Sequence, residues 1–135
     1  MPLKLKLKPK EKVIIGGAVL VNGGSHAEFS VENRVPILRS KDIMTEDEAD
    51  SHCKKIYFLL QLMYIEQKRS QEHYDMYLQL VKELIAAAPS MVGMLYEVSE
   101  SLLEDDFYKA LKRAKKLIAY EAKAIDQARE ALIGA

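Results

Sequence analysis

Between residues 109 and 123 the chain places Lys109, Lys112, Arg113 and Lys116 three and four residues apart, and Tyr120 and Lys123 continue the series. On a helix this spacing returns to one face at each turn, so a row of cations and a phenol ring share a stripe. Cations displace counterions along a phosphate backbone, and an aromatic ring stacks on an unpaired base. The stripe therefore suits a single-stranded nucleic acid. A second basic set, Lys4, Lys6 and Lys8, alternates with Leu3, Leu5 and Leu7. On a strand those lysines occupy one face, where they also protect an exposed edge from pairing with another chain.

Other chemistries lack their spacing. No Gly-x-Ser-x-Gly turn marks a nucleophile, and His26, His52 and His73 have no metal-ligand spacing with one another or with Cys53. Gly16-Gly17 and Gly23-Gly24 are not followed by the residues that turn a glycine loop into a phosphate cradle, so both pairs read as turns. Glu97, Glu100, Glu104, Asp105 and Asp106 do not follow the calcium-loop pattern. The expectation is a protein that is not an enzyme and carries neither metal nor cofactor.

The elements that position these residues follow from composition and hydrophobic period. The chain has 135 residues, 49% hydrophobic and 30% charged, enough for a core without disulfide or metal. A single cysteine and the absence of a signal-peptide pattern or an apolar run of membrane length point to the cytoplasm. Net charge is zero only on average: basic against acidic residues number 8 and 4 over residues 1–44, 5 and 13 over 45–106, and 7 and 3 over 107–135. A neutral chain of this kind still presents basic and acidic faces.

Up to about residue 44 the period is two. Leu3, Leu5 and Leu7, then Val13 and Ile15, then Ala27, Phe29 and Val31 alternate with polar residues. The pattern predicts a small antiparallel sheet or open barrel over residues 2–40, with Asn22-Gly23 after Val19-Leu20-Val21 as its strongest hairpin turn and Pro36 marking an edge or the end of the last strand. Beyond residue 44 the period is helical. Thr45 and Glu48 form a capping box that should start the first helix, whose apolar face is Ile56, Leu59, Leu60 and Met63. A second helix carries Tyr74, Tyr77, Val81, Leu84 and Ile85 and stops at Pro89. Ser90 should cap a third with Met91, Leu95, Val98 and Leu102, and Glu104-Asp105-Asp106 should close it and cap a fourth. The fourth runs from Phe107 to about Leu132, burying Ala110, Leu111, Ala114, Leu117, Ile118 and Ile125. The expected fold is α+β: a β-rich subdomain over residues 1–44 followed by about four helices over 45–135.

In chain order, LKLKLKP from Leu3, EKVIIGGAVLVNG from Glu11, Val31 to Asn33, Leu38-Arg39 with Lys41 to Met44, Glu48-Ala49, Ile56 to Phe58 with Met63-Tyr64, Tyr108 to Leu111, Leu117-Ile118 and Tyr120-Glu121 resemble the FlbT family of bacterial flagellin-synthesis regulators. The resemblance spans nearly the whole chain. The family pattern commonly has glycine where this chain has Lys10, Asn-Gly where it has Gly16-Gly17, and a proline in the region of Ser51 to Cys53. The resemblance implies a post-transcriptional repressor of flagellum biogenesis that associates with the 5′ untranslated leader of flagellin mRNA and promotes its decay. It supplies no RNA-contact residues. Those inferred here from charge and helix phase are Lys109, Lys112, Arg113, Lys116, Tyr120 and Lys123, assisted by Lys4, Lys6 and Lys8. The alternative is a protein-binding regulator that contacts flagellin or a flagellar co-regulator. Its motivation is the stretch 56–64, apolar on more than one face, with Tyr57, Phe58, Leu62 and Tyr64 as the docking residues. The same apolar excess would suit a homodimer, and no membrane partner is expected.

Overall fold

The structure, a computed structural model, describes residues 3–134; residues 1, 2 and 135, at the ends of the expected sheet and subdomains, lie outside it. Five strands, β1 (Leu3–Leu7), β2 (Lys12–Ile15), β3 (Ala18–Val21), β4 (Ala27–Val31) and β5 (Ile37–Arg39), precede four helices, α1 (His52–Glu66), α2 (Gln71–Ala87), α3 (Val92–Leu103) and α4 (Phe107–Ile133). The class is α+β. The chain divides into two compact units: residues up to Ile43 with Tyr64–Gln67, and Met44–Met63 with Lys68 onward.

In the first unit the strands form two antiparallel sheets rather than one, β1 with β4 and β2 between β3 and β5. In the β1–β4 register Leu5 faces Phe29 and Lys6 faces Glu28. Period-two alternation turns Leu5 and Leu7 inward onto Val13, with Ile15, Phe29, Val31 and Ile37 packed around them. The two-residue hairpin turn lies at Gly16-Gly17, between β2 and β3, and not at Asn22-Gly23. Both Gly16 and Gly17 have positive φ, +57° and +88°, which such a turn requires. Asn22 organises a longer loop instead: its Nδ2 donates to the carbonyls of Leu7 (3.0 Å) and Ser25 (2.8 Å), and its Oδ1 accepts from Gly24 N (3.2 Å). Pro36 does not end the last strand but marks an edge, since β5 is an outer strand of its sheet. It precedes β5, and its carbonyl accepts from Gly16 N (2.9 Å).

The last turn of α1 belongs to this unit. Tyr64 Oη accepts from Ile37 N (3.1 Å) and donates to Ile37 O (3.0 Å), satisfying the backbone groups of one β5 residue with one hydroxyl.

In the helical unit the Thr45–Glu48 capping box forms, with Glu48 N on Thr45 Oγ1 and Thr45 N on Glu48 Oε1. It closes a single turn, however, and α1 begins later, at His52. Reciprocal bonds within four residues satisfy a turn whether or not a helix continues from it. Ile56, Leu60 and Met63 are fully buried on α1, and Leu95, Val98 and Leu102 on α3, as their spacing predicts. Burying each such side chain contributes roughly 1.5–3 kcal/mol. Gln61, the one polar residue inside the apolar run of α1, is buried because its amide pairs with both N and O of Met44 at 2.8 Å.

A 3-10 turn, Pro89–Met91, leads into α3, and Ser90 does not cap that helix. Asp106 does cap α4, accepting from Lys109 N at 3.1 Å. Ala110, Leu111, Ala114 and Leu117 line the buried face of α4, whereas Ile125 is 47% exposed. All described residues from 122 on are exposed, because α4 runs past the helices it packs against.

Candidate nucleic-acid interface

The stripe on α4 forms on a regular helix of 27 residues. Lys109, Lys112, Lys116, Tyr120 and Lys123 are all exposed on it, as helix phase predicts. Lys112 Nζ sits 4.7 Å from the centroid of the Tyr108 ring, itself 48% exposed. Tyr108, Lys112, Lys116 and Tyr120 thus form a run at intervals of four, with an aromatic ring at either end. Tyr108 lies outside the stripe that charge spacing alone defines, and its spacing of four from Lys112 is the sequence signal for it.

Tyr120 is 38% exposed, and its hydroxyl shares a 2.8 Å hydrogen bond with Ser90 Oγ. That bond holds the ring at the surface, while Ser90 does not act as a cap because it lies within the Pro89–Met91 turn, with Met91 at the cap position of α3.

Arg113 departs from the stripe. Its Nη1 donates to Glu97 O (2.7 Å) and Ser101 Oγ (2.8 Å), and pairs with Glu100 Oε1 at 3.4 Å. Helix phase puts Arg113 on the edge of the stripe nearest Ala110 and Leu117, from which its long side chain reaches α3. Its guanidinium therefore joins two helices rather than facing solvent beside the lysines.

Lys4 and Lys6 project from β1 on the face opposite buried Leu5 and Leu7, and Lys8 follows the strand, all three exposed. These three belong to the first unit and the α4 stripe to the second.

The protein-docking set does not share one open face. Tyr57 is 3% exposed and belongs to the core, and the Tyr64 hydroxyl is bound to Ile37. Phe58 and Leu62 instead line an open trough on the helical unit.

Cys53 is fully buried, and burial, with the Glu121 carboxylate beside it, pushes its thiol up to about 12. The neighbouring Lys54 and Lys55 do not activate it. Glu121 also accepts from Ser51 Oγ, which ties α4 to the segment entering α1. Among the described residues no group of three or more histidines, cysteines or carboxylates is placed to hold a metal ion, and no helix is long and apolar enough to cross a membrane.

An antiparallel β unit of five strands and a unit of four helices define a small α+β protein. Residues 3–125 match the family model described as flagellar protein FlbT, and the chain belongs to this family of regulators of flagellar synthesis. It is 40% identical over 124 residues to the probable flagellum biosynthesis repressor protein FlbT 1 of Bradyrhizobium diazoefficiens, covering 91% of this chain and 84% of that protein. It is 37% identical to the probable flagellum biosynthesis repressor protein FlbT of Rhodopseudomonas palustris, covering 94% of this chain and 100% of that protein. Identity to the flagellum biosynthesis repressor protein FlbT of Caulobacter vibrioides is 33%, over 90% of this chain and 87% of that protein. No solved structure matches the chain.

Proposed function

We propose that this protein represses flagellin synthesis after transcription by binding the 5′ untranslated leader of flagellin mRNA and promoting its degradation, with no cleavage chemistry of its own. The observation that carries this reading is the exposed series Tyr108, Lys109, Lys112, Lys116, Tyr120 and Lys123 on one long helix of a chain with no net charge. A generally sticky cationic protein would carry its charge all over. Here the excess is local, and aromatic rings flank it. Cations along the helix meet phosphates, while Tyr108 and Tyr120 supply planes on which unpaired bases stack. Lys4, Lys6 and Lys8 add a second phosphate-binding face on β1. Decay of the bound message falls to a cellular nuclease, and the site of action is the cytoplasm, where the message is translated.

The test is equilibrium binding of the purified protein to its own organism's flagellin leader at near-physiological salt, against a shuffled RNA of equal length. Submicromolar binding that prefers the leader is expected. Lys112→Glu with Lys116→Glu should weaken it and flatten its dependence on salt, since each lost phosphate contact lowers the log–log slope by about 0.7 for a single strand. Equal affinity for leader and shuffled RNA would remove sequence recognition. An unchanged salt slope in the double variant would remove α4 as the contact surface.

A further inference from the structure

The RNA reading leaves unused a trough of about 780 Å³ between α1 and α2. Each helix carries two apolar stripes. On α2, Tyr77 and Leu84 face the core, while Met76 and Leu80 form a second stripe along the trough. On α1, Ile56, Leu60 and Met63 face the core, while Phe58 and Leu62 line the opposite wall. Met76 is 50% exposed, an unusual position for a large apolar side chain with no local cover. His73 also lines the trough, and its Nδ1 is buried without a hydrogen-bond partner among the described residues. A buried ring nitrogen in that state is stabilised by an incoming polar group.

The rim is acidic. Glu46, Glu72 and Glu83 stand around the trough against Lys55 alone of opposite sign, in the stretch where acidic residues outnumber basic ones by 13 to 5. At one end His52 Nε2 and Glu83 Oε2, 2.9 Å apart, span the two helices. From Glu72 to Glu83 the wall of α2 is about three helical turns long, roughly 17 Å at 1.5 Å per residue.

We infer that this trough docks an amphipathic helix of a partner protein, about three turns long, whose apolar stripe is flanked by lysine or arginine. Charge decides among the possible occupants. A polyanion is repelled by three carboxylates, so the trough is not an extension of the RNA surface. A second copy presenting the same trough would set like-charged rims against each other, which disfavours a symmetric dimer through this face. A helix with basic flanks satisfies the rim while its apolar side chains fill the space between Phe58, Leu62, Met76 and Leu80, the way helices seat in hydrophobic grooves. The inference goes beyond the RNA reading and stands without it.

Two synthetic 14-residue helical peptides test it on the full chain by fluorescence anisotropy. They share leucines at i, i+3, i+7 and i+10 and differ only in carrying lysine or glutamate on the flanks. The lysine peptide should bind at least tenfold tighter. Met76→Glu, and independently Leu80→Gln, should each reduce its binding tenfold or more, and Glu46→Lys with Glu72→Lys should abolish the preference between peptides. Affinity for leader RNA should stay within twofold in Met76→Glu and in Leu80→Gln. Equal binding of the two peptides, binding of neither, or lysine-peptide binding that survives both Met76→Glu and Leu80→Gln overturns the proposal. A concentration-dependent dimer, seen by sedimentation and lost in Met76→Glu, overturns it in favour of a second copy.

Discussion

Arg113 Nη1 lies 2.8 Å from Oγ of Ser101, a residue with no solvent exposure, and the same hydroxyl donates to Glu97 O at 3.1 Å. One guanidinium from α4 therefore completes the hydrogen bonding of a buried serine on α3 and takes up a backbone carbonyl beside it. Removing it leaves those acceptors without their charged donor, a loss of about 1.5–3 kcal/mol. Arg113→Ala should lower the urea midpoint accordingly. Arg113→Lys should recover less than half, because its shorter side chain holds the ammonium back from the Glu97 carbonyl and Ser101 hydroxyl that Nη1 reaches. Leader affinity per folded molecule should change less than twofold in either variant, which separates a joint between helices from an RNA contact.

The tyrosines and lysines of α4 should separate by salt. Tyr108→Ala or Tyr120→Ala should cost about 1–3 kcal/mol of leader binding with the salt slope unchanged, as stacking is not counterion release. Lys109→Ala and Lys116→Ala should lower both affinity and slope. A salt titration of each variant reads the two effects independently.

The backbone predicts two opposite effects of glycine. Gly16→Ala and Gly17→Ala place a side chain at φ of +57° and +88° and should each destabilise by roughly 1–2 kcal/mol. Gly23→Ala meets nothing within 4 Å and is not at positive φ, so it should be neutral or stabilise by up to about 1 kcal/mol. Lys10 holds φ of +67°, a left-handed conformation that favours glycine. Lys10→Gly should stabilise the fold by about 0.5–1 kcal/mol, since relief of the left-handed conformation exceeds the added chain entropy of glycine. Thermal melts of the four variants give the ranking.

Cys53 should make the protein sensitive to alkali. Its thiol is pushed up to about 12 by burial and Glu121, and the Tyr77 hydroxyl is pushed up to about 12 by burial. A raised value means that the folded state keeps a proton the unfolded chain gives up, so the stabilisation is whole below the unfolded values and is lost as pH rises toward 12. Stability measured in urea should fall from about pH 9 upward, and Cys53→Ala should flatten that fall. At pH 8 the native thiol should react with a disulfide reagent much more slowly than in the unfolded chain, since it is buried and held protonated.

Tyr64→Phe should cost about 1–3 kcal/mol, because it removes the hydroxyl that serves both N and O of Ile37. Hydrogen exchange at the Ile37 amide should quicken while α4 amides are unaffected.

The elements whose hydrogen bonds close within a few residues were legible in the chain. Asp106 caps α4 through an amide three residues on, the stripe of α4 follows from helical period, and Leu5 and Leu7 turn inward by the period of a strand. The Thr45–Glu48 box was legible for the same reason, but its local bonds do not state how far a helix continues. Asn-Gly and Gly-Gly both suit a tight turn, and strand pairing chose the second.

The sequence alone determined the order of strands and helices, the face of α4 that carries its lysines, the acidic middle and basic ends of the chain, and the family, because these depend on local spacing and residue type. Only the tertiary structure decided what each long side chain does when it reaches another element. Helical phase gives an angle about the axis but not the distance to a neighbour, so Arg113 shared the lysine stripe by phase and left it by reach. Tyr57 and Tyr64 looked like surplus apolar surface until packing buried one and a β5 backbone bound the other. Glu121 meets Ser51 across 70 residues, and Phe58 and Met76 share a trough through the pairing of two helices. Such relationships exist only once the chain has closed on itself, since separation along the sequence places no limit on proximity in the folded state.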